Sequence, residues 1–225
     1  MKNISIAIDG PASSGKSTVA KIIAKKHGFI YIDTGAMYRA ITFAAMTKQV
    51  DLSDEHSLSD LAAHLPITFE ADKNGQLVFL EGKEVTEAIR QNEVSHNVSQ
   101  VAAHGKVREV LVEKQRQMSK IGSVVMDGRD IGTVVLPDAQ VKFFLVASVT
   151  ERAERRYKEN LEKGIPSDFE ELKSEIERRD YLDSTRKVSP LVKAQDALLV
   201  DTTGLSIEQV VKKIEEIIAE KQEIS

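Results

Sequence analysis

The sequence predicts an α/β fold: a five-stranded parallel sheet with helices on both faces, interrupted by a small antiparallel insertion. Three observations predict it. Short apolar runs at 4–9, 29–33, 124–127, 141–148 and 197–201 alternate with helical patterns, as in β-α-β units around a buried parallel sheet. The stretch 66–90 breaks that rhythm with two strand-like segments about an Asn-Gly turn. A glycine-rich loop ending in a lysine stands directly after the first apolar run, at the strand end where such sheets bind ligands.

Each element has its own signal. "ISIAID" (4–9) is apolar and β-branched, and Gly10-Pro11 stops it. In the helix that follows, Val19, Ile22, Ile23 and the stem of Lys26 share one face. "FIYID" (29–33) is the second strand and "GAMYRAITFAAM" the second helix. "ITFEA" and "QLVFLEG" flank "DKNG", a hairpin with Asn74-Gly75 at its turn. One long helix, roughly 93–120, is expected to return the chain to the core. "VVMD" and "VKFFLVAS" are the third and fourth strands, and "ALLVD" is the fifth. The helix at 148–163 opens with Ser148 and Glu151 three apart, a capping box, and the last helix opens with Ser206 and Gln209 in the same relation. Ile207, Val210, Val211, Ile214, Ile217 and Ile218 give that last helix an apolar stripe. There is no internal repeat or low-complexity tract, so residues 1–225 read as one domain.

Composition narrows the function. The 225 residues suffice for one sizeable core, with an ordinary balance of 41% apolar and 29% charged residues. A net charge of -4 speaks against a large basic nucleic-acid surface but allows a local basic pocket. The absence of cysteine excludes disulfides, thiolate metal sites and cysteine nucleophiles. The first apolar run is cut by Asp9, unlike a signal peptide. No run approaches the ~18 apolar residues of a membrane span. The expectation is a cytoplasmic monomer whose partners are small molecules, neither nucleic acid nor membrane. The five histidines have no paired ligand spacing and read as ordinary buried or surface residues.

"GPASSGKS" (Gly10 to Ser17) fits G-x-x-x-x-G-K-[ST] in full. Glycines let backbone N–H groups turn inward around phosphate oxygens, and the next helix adds its positive N-terminal end. Lys16 is placed to reach the β- and γ-phosphates of a nucleoside triphosphate, and the Ser17 hydroxyl to hold Mg²⁺ directly. No N-K-x-D guanine segment is present. Asp127 is followed by Gly128-Arg129-Asp130 rather than by a glutamate that orients water. An arginine there suits a second phosphate.

Further arginines stand where the ligand edge of the sheet should be: Arg39 after the second strand, Arg152, Arg155 and Arg156 after the fourth, and Arg178, Arg179 and Arg186 in "ERRDYLDSTR". On helix 148–163, Glu151 lies four before Arg155 and Glu154 four before Lys158, which favours a solvated, paired face there. Arg39 and Arg129 follow strand ends beside the phosphate loop, which favours a ligand.

"GPASSGKST", "DTGAMYRA", "QVAAHGKVRE", "DGRDIGTVVLPDA", "ERAERRY" and "ERRDYLDSTR…SPL" occur in this order over nearly the whole chain. In them the chain resembles the bacterial cytidylate kinases, phosphate-loop nucleoside monophosphate kinases. The resemblance implies transfer of the γ-phosphoryl group of ATP to CMP or dCMP, with Mg²⁺, an inserted monophosphate-binding subdomain at about 61–102 and a mobile lid at about 152–180. It implies that Gly10, Pro11, Ala12, Ser13, Ser14, Gly15, Lys16, Ser17 and Thr18 hold the ATP phosphates. Arg39, Arg129 and Arg186 would clamp the CMP phosphate; Ser99, Arg108 and Asp130 would read the cytosine edge. Thr34, Arg179 and Asp183 would lie near the sugar, with Tyr38 beside the acceptor. Lys16, Arg129, Arg152 and Arg156 would supply catalytic charge, the last two from the lid, and Asp127 would hold Mg²⁺ through water.

The residues alone leave alternatives open. Asp130 is equally a helix N-cap before "IGTVV". Ser99 and Asp183 are otherwise ordinary polar surface, Thr34 a turn residue and Asp127 a strand-end acid. A carboxylate that accepts from the cytosine amino group would face a carbonyl in uracil, which is the physical case for Asp130 as a base reader. A kinase of another small acceptor, or a nucleotide-switched binding protein using the hairpin as its surface, remains the competing reading.

Overall fold

The computed structural model describes residues 3–72 and 75–223. Its main sheet has five parallel strands in the order β2-β6-β1-β7-β8. They are β1 (Ser5–Asp9), β2 (Ile30–Asp33), β6 (Val124–Gly128), β7 (Val141–Val146) and β8 (Leu198–Asp201). Ile6, Ala7 and Ile8 are wholly buried, as a strand covered on both faces requires. From β1 the chain passes to β2 and β6 on one side and to β7 and β8 on the other, so the carboxyl end of β1 is a switch point. Register brings three strand ends level: Asp9 lies opposite Gly128, and Asp33 opposite Asp127.

The helices are α1 (Lys16–His27), α2 (Thr34–Thr47), α3 (Glu55–His64), α4 (Asn92–Val101), α5 (Gly105–Ser119), α6 (Val149–Glu162), α7 (Phe169–Thr185) and α8 (Ile207–Glu223). Val19 and Ile23 of α1 and Val210 and Ile214 of α8 cover one sheet face, against Ile6, Ile8 and Phe143. Lys26 departs from expectation: its side chain is 53% exposed and pairs with Glu215 at 3.9 Å, because its charge is solvated outside that seam. On the other face Ala7, Ile32 and Met126 pack with Val112 of α5 and with Ile131 and Val135. The last two belong to a π-helical turn, Ile131–Val135.

The insertion is a separate three-stranded antiparallel sheet: β3 (Ile67–Asp72), β4 (Gly75–Leu80) and a short β5 (Lys83–Glu84). The expected turn rests on Asn74, which lies outside the described residues; Asp72 pairs with Gly75 beside it. Ile67, Val78 and Leu80 seat the sheet on Met37, Ile41, Leu58 and Leu111.

The expected single helix at 93–120 is two helices. His104 is extended at φ −72°, ψ 121°, its ring bonds the Leu52 carbonyl at 2.9 Å, and Gly105 opens the second helix. The apolar period runs on through the break, which is why the pattern concealed it. The capping box at Ser206 and Gln209 forms in both directions, at 2.8 and 3.3 Å. At Ser148 only half forms: its hydroxyl accepts from the Glu151 N–H, while Glu151 turns to Arg155. No described helix is long and apolar enough to cross a membrane.

Candidate active site

Two adjoining pockets open at the carboxyl end of the sheet. The larger, about 630 Å³, is a cleft lined by Ala12 to Thr18, Asp127 and residues of α6. Gly10 and Pro11, expected with them, do not line it. Gly10 is required by close approach, because a Cβ there would lie 2.2 Å from the Leu145 carbonyl oxygen. Gly15 turns into α1 with φ +84°, a left-handed conformation that glycine adopts without strain. Lys16 Nζ donates to the Pro11 carbonyl at 2.9 Å. The Ser17 hydroxyl donates to Asp127 Oδ2 at 2.6 Å, and the Tyr31 hydroxyl to Asp127 Oδ1 at 2.7 Å. Burial, then the Arg129 guanidinium, lowers the Lys16 ammonium to about 7. Burial and the nearby Asp33 charge push the Asp127 carboxyl up.

The smaller pocket has only about 60 Å³ of room. All ten residues expected on the acceptor side line it: Thr34, Tyr38 and Arg39 from α2, Ser99 from α4, Arg108 from α5, Arg129 and Asp130 after β6, Arg179 and Asp183 from α7, and Arg186 beyond it. The break between α4 and α5 makes this possible, since it turns Arg108 back so that its Nη1 donates to Ala102 O at 3.0 Å. The pocket's side chains pair with one another. Arg108 Nη2 donates to Asp130 Oδ2, and its guanidinium lies 5.2 Å from the Tyr38 ring centre. Arg129 Nε donates to Asp183 Oδ2 at 2.8 Å, and the Ser99 hydroxyl to Asp183 Oδ1 at 3.2 Å. Arg186 sits between the two acids, 3.9 Å from Asp130 and 3.8 Å from Asp183. Arg39 Nη2 donates to Asp33 Oδ2 at 2.9 Å. The Thr34 hydroxyl donates to the Asp127 carbonyl at 2.7 Å, so its proton is already used.

Electrostatics favour an anionic ligand. Five arginines line this pocket against Asp130 and Asp183, with Asp33 behind Arg39. Burial raises the Asp183 carboxyl, but Arg129 and Arg186 outweigh it and hold the group low. Burial likewise raises Asp33, and Arg39 and the Ala36 N–H bring it below the usual range. Burial and then Arg129 lower Arg179 to about 10. Arg39 Nε, Arg108 Nε and Arg179 Nε are buried without a hydrogen-bond partner. Such donors are costly to leave unmade, so the pocket is poised for acceptor oxygens.

Gly35, Arg39, Gly128, Arg129 and Arg179 line both pockets. Arg156 faces the cleft and pairs with Glu159 at 3.4 Å. Arg155 is held by Glu151 and by the Thr202 carbonyl at 2.7 Å. Arg152 is not brought to the cleft in this conformation. It is buried, donating to the Ala12 carbonyl at 3.1 Å and pairing with Asp180 at 2.6 Å. Arg178 clips α7 to the His96 carbonyl at 2.8 Å, away from both pockets.

The alternative role for Asp130 is not seen. It stands at the N-cap of the π-helical turn, yet its side chain makes no capping bond. Sequence reasoning also missed several residues. Asp33 caps α2 and holds Arg39; its signal was an acid before "TGA". Tyr31 holds Asp127, Lys21 and Arg90 line the cleft, and Gln76 of β4 donates to the Tyr31 carbonyl at 2.6 Å. Nothing local marked these four.

Comparison with known proteins gives a consistent pattern. The family described as cytidylate kinase matches residues 6–220. A cytidylate kinase of Enterococcus faecalis is 63% identical over 221 residues, covering 98% of each chain. One of Bacillus subtilis is 59% identical over 220 residues, again covering 98% of each. Among solved structures, an uncharacterized protein from Eubacterium ventriosum shares the fold with TM-score 0.56 at 13% identity, over 97% of this chain and 99% of that one.

Proposed function

The chain belongs to the cytidylate kinase family and phosphorylates CMP or dCMP at the expense of ATP, and we propose that the two pockets divide that reaction between them. The cleft takes the triphosphate and the small pocket takes the acceptor. The observation that carries this division is the shared wall: Arg39, Arg129 and Arg179 face both pockets at once. A γ-phosphoryl group and an acceptor phosphate would meet there.

The roles follow from chemistry. The backbone of Ala12 to Ser17 and Lys16 grip the triphosphate. Arg39, Arg129 and Arg179 hold the acceptor phosphate, and Arg108 and Asp130 read the base. This division differs from the expectation for three residues: Ser99, expected at the cytosine edge, donates to Asp183 at 3.2 Å and goes with it. Arg186 lies between Asp130 and Asp183, at the base end, and Arg179 lies on the shared wall. Ser99 and Asp183 bound the sugar side, with Thr34 and Tyr38 packing around it. Phosphoryl transfer passes through a loose transition state, so positioning and neutralisation of charge carry the rate and no covalent nucleophile is needed. Lys16, Arg129 and Arg156 line the cleft and would supply charge to the transferring group, and Arg152 would act through Ala12 of the loop.

A Mg²⁺ ion fits the donors present. Ser17 Oγ and Asp127 Oδ2 are hard oxygen ligands 2.6 Å apart in the cleft. No cluster of three or more His, Cys, Asp or Glu occurs among the described residues; Mg²⁺ is usually held by one or two protein oxygens plus phosphates and water. Ser17 would hold it directly and Asp127 through water, and the ion would neutralise phosphate charge. The insertion around 61–102 is the acceptor-side subdomain and 152–180 the lid that excludes water. The same reading has the enzyme act as a cytoplasmic monomer on free nucleotides.

The test is acceptor dependence. With Mg-ATP and CMP, ADP and CDP should form in equal amounts. ADP formation of the same rate without CMP would refute the kinase assignment.

A further inference from the structure

We propose that Asp9, which lines neither pocket, is a positioning residue for the acceptor base: its carboxylate caps the turn after Asp130, leaving the Asp130 side chain free to face Arg108 and the ligand. The inference rests on the acceptor reading above. Asp9 ends β1, directly before Gly10, and is 4% exposed. Its Oδ1 accepts from the Ile131 N–H at 2.8 Å and its Oδ2 from the Gly132 N–H at 2.7 Å. Those are the first two N–H groups of the π-helical turn, donors that a cap must satisfy.

The residue placed to satisfy them is Asp130. A short acid before a helical turn ordinarily folds back onto those N–H groups, and the carboxylate would then turn away from Arg108. Here Asp130 makes no capping bond and accepts from Arg108 instead. The two tasks that compete for one carboxylate are split between two acids 121 positions apart in sequence. The junction is packed from its other side as well: a Cβ on Gly132 would lie 3.4 Å from Asp9 Oδ2 and 3.1 Å from Lys142 Cδ. Among the described residues, no hydrogen bond links the Asp9 carboxylate to the phosphate loop, although the loop is its neighbour in the chain.

The prediction runs against sequence proximity. Asp9→Asn keeps the shape but offers one acceptor oxygen where the carboxylate offers two, and turns an N–H toward an N–H. In folded Asp9→Asn the KM for CMP should rise about tenfold, and the CMP-over-UMP ratio of kcat/KM should fall. Equilibrium ATP binding without CMP should stay near wild type. Gly132→Ala should shift both acceptor readouts the same way by less, and it decides the matter if Asp9→Asn does not fold. ATP binding weakened as much as CMP binding, or an unchanged CMP KM, would overturn the proposal and leave Asp9 a support of the loop alone. A wild type inactive on CMP would remove the acceptor reading itself, a separate failure.

Discussion

The cleft proposed for the triphosphate and the pocket proposed for the acceptor differ in what holds them. The cleft is open, about 630 Å³, and its groups are fixed by backbone: a loop built on Gly10 and Gly15, with Lys16 on the Pro11 carbonyl. The smaller pocket has about 60 Å³, and Arg108, Arg129 and Arg186 are paired there with Asp130 and Asp183. Pockets that enclose small molecules usually have roughly 300–1,000 Å³. On the proposed division the cleft has room for its ligand as it stands, whereas the smaller pocket would have to exchange internal ion pairs for ligand contacts. Buried ion pairs carry large opposing terms, so such an exchange can be nearly balanced. On that account small changes on the acceptor side should alter selectivity.

The largest expected effect tests the cleft. Lys16→Ala should leave the fold intact and lower kcat by about 10²–10³, or ~2.7–4 kcal/mol, the cost of one preorganised charge contact. A folded variant with more than about a tenth of wild-type turnover would break the comparison at its rigid end.

Next comes the self-paired side. Asp130→Asn turns an acceptor-only group into one that also donates. The CMP-over-UMP ratio should shrink about tenfold, with most of the loss on CMP. An unchanged ratio with activity retained would mean that Asp130 serves only its ion pair with Arg108.

The phosphate loop should also report on proton linkage. Burial, then Arg129, lowers the Lys16 ammonium to about 7. ATP phosphates favour the charged form, so they raise that value on binding. The affinity from this group is then fully present below pH 7 and falls as pH rises above it, by about fivefold between pH 7 and 8 if the bound value lies well above 8. Calorimetry in two buffers of different ionisation enthalpy should show proton uptake at pH 8. No uptake would mean the ammonium is already charged in the free enzyme.

The smallest effect concerns the insertion. Gln76 ties β4 to the Tyr31 carbonyl at 2.6 Å and accepts from the Asp33 N–H at 3.4 Å. It thereby braces the acid that holds Arg39. Gln76→Ala should raise the KM for CMP about threefold and leave that for ATP alone. An equal effect on both would detach the insertion from the acceptor side.

Legibility in the sequence follows the range of the interactions. The five strands were readable because each is a local apolar run, and the phosphate loop because its spacing is local. Lys26 misled because a helical period cannot say where a face ends. The split between α4 and α5 was hidden by Ala102, Ala103 and His104, which continue a helical pattern; only Gly105 marked it. Of the residues that line the smaller pocket, Arg39 and Arg129 were marked by their place after strand ends, whereas Ser99 and Asp183 were named only through motif resemblance, since they meet across 84 positions. Asp9, Tyr31 and Gln76 act on partners 122, 96 and 45 positions away, and no spacing rule reaches that far.

Acceptor choice tests the central claim most directly, because it reads the base site and the transfer together. The measurement is kcat/KM for CMP and for UMP with wild type at saturating Mg-ATP. A pocket that sets Asp130 and Arg108 against the base edge should favour CMP by at least about tenfold. Equal use of the two, or preference for UMP, would contradict it.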